Sequence, residues 1–506
     1  MNASWVYKRA LEKTPSKTAV AVDNEILSYG ELDKKANKVA QFLKSVGTEK
    51  GDKVGFFMEN NLFITYGYMG CFKIGAVVVP ASYYTSEGEL VHEANEGEVK
   101  FYFVSKGRLE TIKNAAKDIK HLKGIVLVDG KEKDVSSWLD IERQFNGDFE
   151  DVDVDENEPA LILFTSGSTG KTKGVAHTTK SLIANGRART KTLRHTPDDV
   201  MITTSFLCHG AAPLIVLFPM LYAGGTAVFM SHYDRDKFVE MIKRYGITHA
   251  AASPKQWEEI LEFDKGKSLK GLKYATTGGD VVDVGFRKRF RELVGIPLVS
   301  SLGMTECGGY MTIPPHKKAK DESVGMPIDG VSVKLVDDNY NDVKQGETGE
   351  ILVKGDTVFC CYYNDDELTK SSFIDGWFKT GDLARVDEDG YYYFEGRKKR
   401  IIVKGGGNIN PLEVEDVLRK HPKVKECLVV GVKDDDVGEE VFAFVACDMN
   451  NPPSEDELKE FLKGKISERK IPACFEIIEE LPRKDKIDLK ALRELANEIF
   501  QKRRNR

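Results

Sequence analysis

At 506 residues the chain is longer than one hydrophobic core serves, and it predicts at least two domains. Its 74 basic and 80 acidic residues nearly cancel to a net charge of -6, which removes the electrostatic case for a nucleic-acid or anionic-membrane partner. The eight cysteines (Cys71, Cys208, Cys307, Cys360, Cys361, Cys427, Cys447, Cys474) form no C-x-x-C pair and have no His-rich neighbour, so zinc is not indicated and a reducing, cytoplasmic compartment is the simplest reading.

The opening MNASWVYKRALEKTPSK mixes charges among its apolar residues and lacks the apolar core of a signal peptide, so export is not expected. Up to about residue 395, helical patterns such as YGELDKKANKVAQFLKSVG alternate with the short apolar runs KVGFFM, AVVVP, KFYFVS and GIVLVDG. That alternation predicts layered α/β structure with mainly parallel sheet. Leu214 to Met230 is the most apolar stretch, but Pro219, Gly224 and Gly225 interrupt it; it reads as buried helix, turn and strand, and no transmembrane segment is predicted.

From Gly330 to Phe394 the texture changes to short strands with turn signals (VSVKLVDD, GEILVKG, and Asp389-Gly390 before YYYFEG), predicting an antiparallel β subdomain over 330–394. Beyond Arg397 come IIVKGGGNINP, the helix LEVEDVLRKH, the strands ECLVVGV and EVFAFVAC, and two more helices. The expected fold class is therefore α/β: a large N-terminal body of several subdomains, 1–396, its β-sheets flanked by helices, and a small mobile α+β lid, 401–506. Adjacent Cys360 and Cys361 read as buried small hydrophobes without a role.

The segment carrying most chemistry is LILFTSGSTGKTKGVAHTTKSLIAN, Leu161 to Asn185. An apolar run enters a loop packed with Ser, Thr, Gly and Lys, and a helix-like stretch leaves it. Small residues let backbone N–H groups and hydroxyls surround phosphate oxygens while lysine neutralises them. A Walker A loop is excluded, because G-x-x-x-x-G-K-[ST] ending at Thr172 requires glycine where Thr165 stands.

TSGSTGKTKG resembles the TSGSTG-x-x-KG phosphate loop of the adenylate-forming superfamily of acyl-CoA synthetases, peptide-synthetase adenylation domains and luciferases. SLGMTECGG, from Ser301 to Gly309, resembles its YG-x-TE element, GWFKTGDLARVDEDGYYYFEGRKKRII its TGD and GR-x-K elements, and KGGGNINPLEVE its SGG-x-NI-x-P-x-E-x-E element. Order and spacing agree over essentially the whole chain. The resemblance implies an ATP-dependent, AMP-forming acid–thiol ligase: a carboxylic acid is joined to AMP with pyrophosphate release, and the acyl group then passes to a thiol.

By that resemblance Thr165, Ser166, Gly167, Ser168, Thr169 and Gly170, with Lys173, hold the β- and γ-phosphates. Thr305 and Glu306 meet the α-phosphate and Mg²⁺, a cation that takes oxygen ligands. Asp382 accepts the ribose hydroxyls, assisted by Arg397, and Leu302, Gly303 and Met304 line the nucleotide, Leu302 replacing a customary tyrosine. His209 stands where relatives gate the reacting carboxylate, and Ala211, Ala212, Gly278 and Gly279 leave room for an aryl or medium-length acyl group. Asp280 either meets a polar substituent or caps a following helix, capping being the better reading. SFLCHGAAPLI lacks the aspartate that pairs with a substrate ammonium, so an α-amino acid is disfavoured.

LPRKDKIDLKALRE aligns with the family's final lysine pattern but is two residues shorter and lacks the glycine before lysine. It makes Lys486 the candidate bridge between carboxylate and phosphate, with Lys484 as the alternative. Relatives swing the lid about the residue matching Lys399, giving a hinge over 397–400, and Gly405, Gly406 and Gly407 would line a pantetheine tunnel. The acceptor is expected to be coenzyme A, the alternative a carrier-protein phosphopantetheine. A non-catalytic nucleotide- or acyl-binding protein and a luciferase-like oxygenase are the remaining rivals.

Overall fold

In the computed structural model the described residues are 1–166, 172–278, 282, 284–315, 319–404, 407–434, 436–482, 487 and 489–504. The short apolar runs form two mainly parallel sheets. One has eight strands, ordered Cys361–Tyr362, Thr172–Thr178, Pro159–Ser166, Val77–Pro80, Lys53–Phe57, Val99–Val104, Gly124–Leu127 and Ser136–Ser137; its first two strands are antiparallel to their neighbours. The other has seven, ordered Leu298–Ser300, Tyr274–Thr277, His249–Ala251, Val200–Thr203, Thr226–Phe229, Thr18–Val22 and Glu25–Ser28, and only the last runs antiparallel.

Both sheets contribute to the largest core, Val20 and Phe229 from one and Phe56 and Phe103 from the other. Helix Leu62–Lys73 is apolar on every side and is buried along almost its whole length, as a helix enclosed on all faces must be. It packs so closely on helix Tyr29–Ser45 that a Cβ on Gly70 would stand 2.6 Å from Val39 Cβ. The one charge it buries, Lys73, is matched by Asp33 at 2.8 Å and Asp151 at 2.9 Å.

The stretch 331–397 forms an antiparallel sheet of Val331–Val336, Gly349–Gly355, Phe373–Ile374, Trp377–Val386 and Tyr392–Arg397. A smaller domain follows, built on a five-stranded sheet. In it Val424–Asp434 and Gly438–Cys447 are buried on both faces: Val441, Ala443 and Val445 enter one core, Phe442, Phe444 and Ala446 the other. Helices Pro411–Leu418, Glu455–Leu462 and Leu489–Arg504 supply the covering layers.

Three expectations change. No helix directly follows the phosphate segment; strand Thr172–Thr178 comes first, because the alternating residues of KGVAHT pair with the apolar run LILF, and helix Thr179–Leu193 begins only where Thr178 caps Ser181 N–H. The smaller domain contains strands not anticipated, Ile402–Lys404, Gly407–Ile409 and Cys474–Ile478. Cys360 is exposed and Cys361 half-buried, since Phe359 and Tyr362 take the inward positions of that edge.

Candidate active site

The carboxyl ends of Val200–Thr203, Tyr274–Thr277 and Leu298–Ser300 release three loops on one side of the seven-stranded sheet, the usual location of ligands in open parallel sheets. These loops carry His209, Gly278 and the Thr305–Cys307 turn. Strands Pro159–Ser166 and Thr172–Thr178 approach from the other sheet, with Thr165 in register with Lys173. Lys173 Nζ donates to Glu306 Oε1 at 2.7 Å, so the site lies where the two sheets meet.

Glu306 is buried, and Tyr362 Oη donates to the same Oε1 at 2.9 Å while Lys173 Nζ lies 2.7 Å from that hydroxyl. Burial pushes the carboxyl up, but the ammonium of Lys173 and the Tyr362 hydroxyl outweigh it and hold Glu306 below the usual glutamate range. Both of these side-chain contacts fall on Oε1, and a carboxylate held ionised is an oxygen donor of the kind Mg²⁺ takes. Burial and the neighbouring Glu306 push the Tyr362 phenol up, so it remains a donor.

The Thr305–Cys307 turn is a single 3₁₀ turn closed by Gly308 at φ 73°. His177 fixes it from beneath, Nε2 donating to Thr305 O at 2.8 Å. Its complete burial lowers the imidazole to about 4, which keeps it neutral and able to donate. Gly210 lies flat on the turn: a Cβ there would be 2.9 Å from Thr305 Oγ1. The neighbouring His209 is exposed at the rim, Nε2 3.5 Å from Ser82 Oγ, Ala211 is exposed, and Ala212 is buried.

Asp382 stands inside strand Trp377–Val386, not in a plain turn, and Gly381 at φ 72° supplies the local left-handed residue. The antiparallel register puts Arg397 opposite, its Nε 3.0 Å from Asp382 Oδ1. Burial, opposed by Arg397 and assisted by Glu306 and Glu350, raises the Asp382 carboxyl to about 6.

Gly278 ends the Tyr274–Thr277 strand against Tyr310, whose hydroxyl would lie 2.8 Å from a Cβ there. Leu302 and Met304 are half-exposed in strand Leu302–Met304, and Gly303 admits no side chain, since a Cβ would meet Gly309 O at 1.9 Å. Gly167, Ser168, Thr169, Gly170, Gly279, Asp280, Gly405, Gly406, Lys484 and Lys486 lie outside the described residues. Gly407 begins strand Gly407–Ile409, and the Lys399 backbone lies in the turn Lys398–Arg400. Tyr362 and His177 were not singled out from sequence. His177 was legible, since strand alternation puts it on the face that carries Lys173.

A nucleotide fits this arrangement. Thr165 Oγ1 and Thr172 Oγ1, either side of segment 167–171, are buried with no hydrogen-bond partner among the described residues, which leaves two hydroxyls for phosphate oxygens. A cation–carboxylate pair beside orphan hydroxyls, with a buried aspartate one subdomain away, describes an adenylate-forming enzyme of acyl-CoA synthetase type, which activates a carboxylic acid as acyl-AMP.

The chain belongs to the AMP-binding enzyme family: residues 7–363 match the AMP-binding enzyme model and 413–486 that of the AMP-binding enzyme C-terminal domain. It is 30% identical to an indoleacetate–CoA ligase of Aromatoleum aromaticum, over 95% of each chain. Among solved structures it resembles ATP-bound MatB of Rhodopseudomonas palustris, with 28% identity, a TM-score of 0.91, and 99% of this chain and 100% of that one covered. Against apo MatB, at the same identity and coverage, the TM-score is 0.78, so the arrangement here is nearer the ATP-bound form. Among the described residues no helix is long and apolar enough to cross a membrane.

Proposed function

We propose that this enzyme is a carboxylic acid–CoA ligase acting on an aryl or medium-length acid, in two half-reactions separated by a domain rotation. The observation that carries the first is the Lys173–Glu306–Tyr362 cluster. A carboxylate oxygen attacks the α-phosphorus of ATP as the bond to pyrophosphate breaks; two anions meet, and fixed cations must offset their repulsion. Lys173 and the Thr165–Gly170 segment receive the β- and γ-phosphates, the Thr305 hydroxyl meets the α-phosphate, Glu306 offers oxygen to Mg²⁺, and Asp382 accepts from both ribose hydroxyls. Mg²⁺ supplies charge neutralisation on the phosphates. Leu302, Gly303 and Met304 line the nucleotide, and Lys486 completes the cation set from the lid.

For the second half-reaction the lid, residues 401–506, turns about Lys399 within the hinge 397–400, and Gly405–Gly407 line the path of the pantetheine arm. The coenzyme A thiolate attacks the acyl carbonyl and AMP leaves. Ion pairing of Lys398 to the body and Arg400 to the lid supports this hinge. The small residues Ala211, Ala212 and Gly278, and the acid named in the Aromatoleum relative, support an aryl substrate. All eight cysteines are free thiols, in keeping with a reducing cytoplasm.

The test is ATP–pyrophosphate exchange over a panel of aryl and medium-length acids, repeated with coenzyme A while AMP release is followed. Acid-dependent exchange followed by acyl-CoA is the expected result. Exchange without acyl-CoA would move the acceptor to a carrier-protein phosphopantetheine, and no exchange in a folded, ATP-binding sample would overturn the catalytic reading.

A further inference from the structure

Arg189 lies in helix Thr179–Leu193 and is 1% exposed, yet its Nε and Nη2 have no hydrogen-bond partner and it makes no ion pair among the described residues. Burial lowers its guanidinium only to about 10, so it is cationic at neutral pH, while the adjoining phenols of Tyr310 and Tyr274 are themselves raised by burial and stay neutral there. Its Cζ stacks 4.7 Å from the Tyr310 ring centroid, a contact that orients the group without neutralising it. An uncompensated buried cation is among the least tolerable features a fold can hold, and such groups persist where a ligand supplies the missing charge.

The position of Arg189 says what that ligand is. A side chain at 309 would project toward Arg189 Nη2, 3.5 Å from its Cβ, and toward Ile215 Cγ1 at 3.1 Å and Leu214 Cβ at 3.5 Å. Leu214 and Ile215 lie in the buried helical turn Ala212–Leu217, which follows the loop carrying His209, and Gly309 follows the Thr305–Cys307 turn. Tyr310, which stacks on Arg189, also lies against Gly278. One helical turn before Arg189, Asn185 donates Nδ2 to Gly308 O while its Oδ1 has no partner. The acyl side of the active site therefore has a polar, cationic floor behind Gly308 and Gly309, where hydrocarbon walls would suit a simple fatty or aryl acid.

We propose that Arg189 is the receptor for a second carboxylate at the far end of the substrate, which makes the activated acid a dicarboxylic acid. This rests on the ligase reading above for the identity of the site. A planar guanidinium with two unpaired N–H edges matches a carboxylate, and pairing it inside the protein discriminates strongly against a methyl group in the same place.

The experiment compares diacids with monoacids in which methyl replaces the remote carboxylate: succinate with butyrate, glutarate with valerate, adipate with hexanoate, isophthalate with meta-toluate. Binding is read by thermal shift and calorimetry in the presence of AMP, and activation by pyrophosphate exchange, for the wild type, Arg189→Met and Arg189→Lys. At least one diacid is expected to exceed its partner by about a hundredfold in the wild type, in binding and in kcat/KM. That ratio should collapse in Arg189→Met and recover in part in Arg189→Lys.

Equal use of both members of every pair by the wild type, or failure of every diacid to bind, overturns the proposal whatever the variants do. An equal loss on both members in Arg189→Met also overturns it. Diacid binding lost in Arg189→Met, with no exchange from any acid, would uphold the receptor and remove the ligase reading; exchange with monoacids and no diacid preference would do the reverse.

Discussion

Lys398 and Arg400 are two residues apart and are ion-paired to different domains. Lys398 Nζ lies 2.9 Å from both Asp338 and Glu350 of the body, and Arg400 Nη2 lies 2.5 Å from Glu415, which is buried in the smaller domain. The domains touch again where Asn410 Nδ2 donates to Glu395 O. With anchors on either side, the torsions of Lys399 are where a rotation between the domains can be absorbed.

Lys399→Pro tests this. Proline fixes φ near the value a 3₁₀ turn already has, and so allows the present arrangement while blocking one that needs another φ. It also restricts Lys398, so some loss common to both half-reactions is expected and their ratio is the readout. Thioester formation should fall about a hundredfold relative to pyrophosphate exchange, consistent with a closure step removed. Equal effects on both half-reactions would put the pivot elsewhere.

Around Glu306 two donors share one oxygen, and their removal should differ in size. Tyr362→Phe deletes a hydrogen bond to a buried carboxylate, worth about 1–3 kcal/mol, so exchange activity should fall about tenfold. Lys173→Met also deletes the cation expected on the phosphates and should cost about a thousandfold. Because the Tyr362 hydroxyl helps hold Glu306 ionised, the acid limb of the exchange profile should move to higher pH in Tyr362→Phe. An unmoved limb would show that another group sets it.

Asp382 makes the free protein sensitive to pH in a definite direction. Its carboxyl is raised from 3.8 to about 6, so between those values the folded state holds a proton that the unfolded chain has released. Stability contributed by that proton is complete below pH about 4 and is lost as pH rises through 6, amounting to ~3 kcal/mol. Asp382→Asn should therefore raise the Tm of the nucleotide-free protein at pH 8 and leave it unchanged at pH 4. In the proposed role the ionised Asp382 accepts from the ribose hydroxyls, so wild-type affinity for AMP should fall about tenfold per pH unit below 6 and level off above it.

What the chain revealed in advance follows from how local each signal is. Alternating strands and helices, the serine- and glycine-rich segment and the Thr-Glu pair are patterns within a few residues, and Thr165 and Lys173, which flank that segment, stand with Glu306 where the two sheets meet. The partner of Glu306 is another matter: Tyr362 sits in CCYYN with no spacing to mark it, and reaches Glu306 across 56 residues and Lys173 across 189. The helix-like stretch after the loop carries four basic residues, Lys180, Arg187, Arg189 and Lys191, yet Leu182, Asn185 and Arg189 are buried in it, which only packing reveals. The early strand Thr172–Thr178 was obscured because its alternation is short and is followed at once by a good helix cap.

His177 supplies a prediction that separates positioning from chemistry. It touches no expected substrate atom; it holds the carbonyl of Thr305, whose hydroxyl and neighbouring Glu306 are the groups proposed to meet the phosphates. His177→Phe leaves that carbonyl without its imidazole donor, costing about 1–3 kcal/mol of stability and lowering kcat for exchange as the turn loosens. KM for ATP should rise less than kcat falls, because Asp382 and Lys173 remain in place. His177→Gln restores an N–H donor and should recover much of kcat. The imidazole stays neutral down to about pH 4, so the wild type and His177→Gln should share the same pH profile above pH 5. A shift of the profile in His177→Gln would mean that the histidine titrates in the working range and takes part in proton transfer.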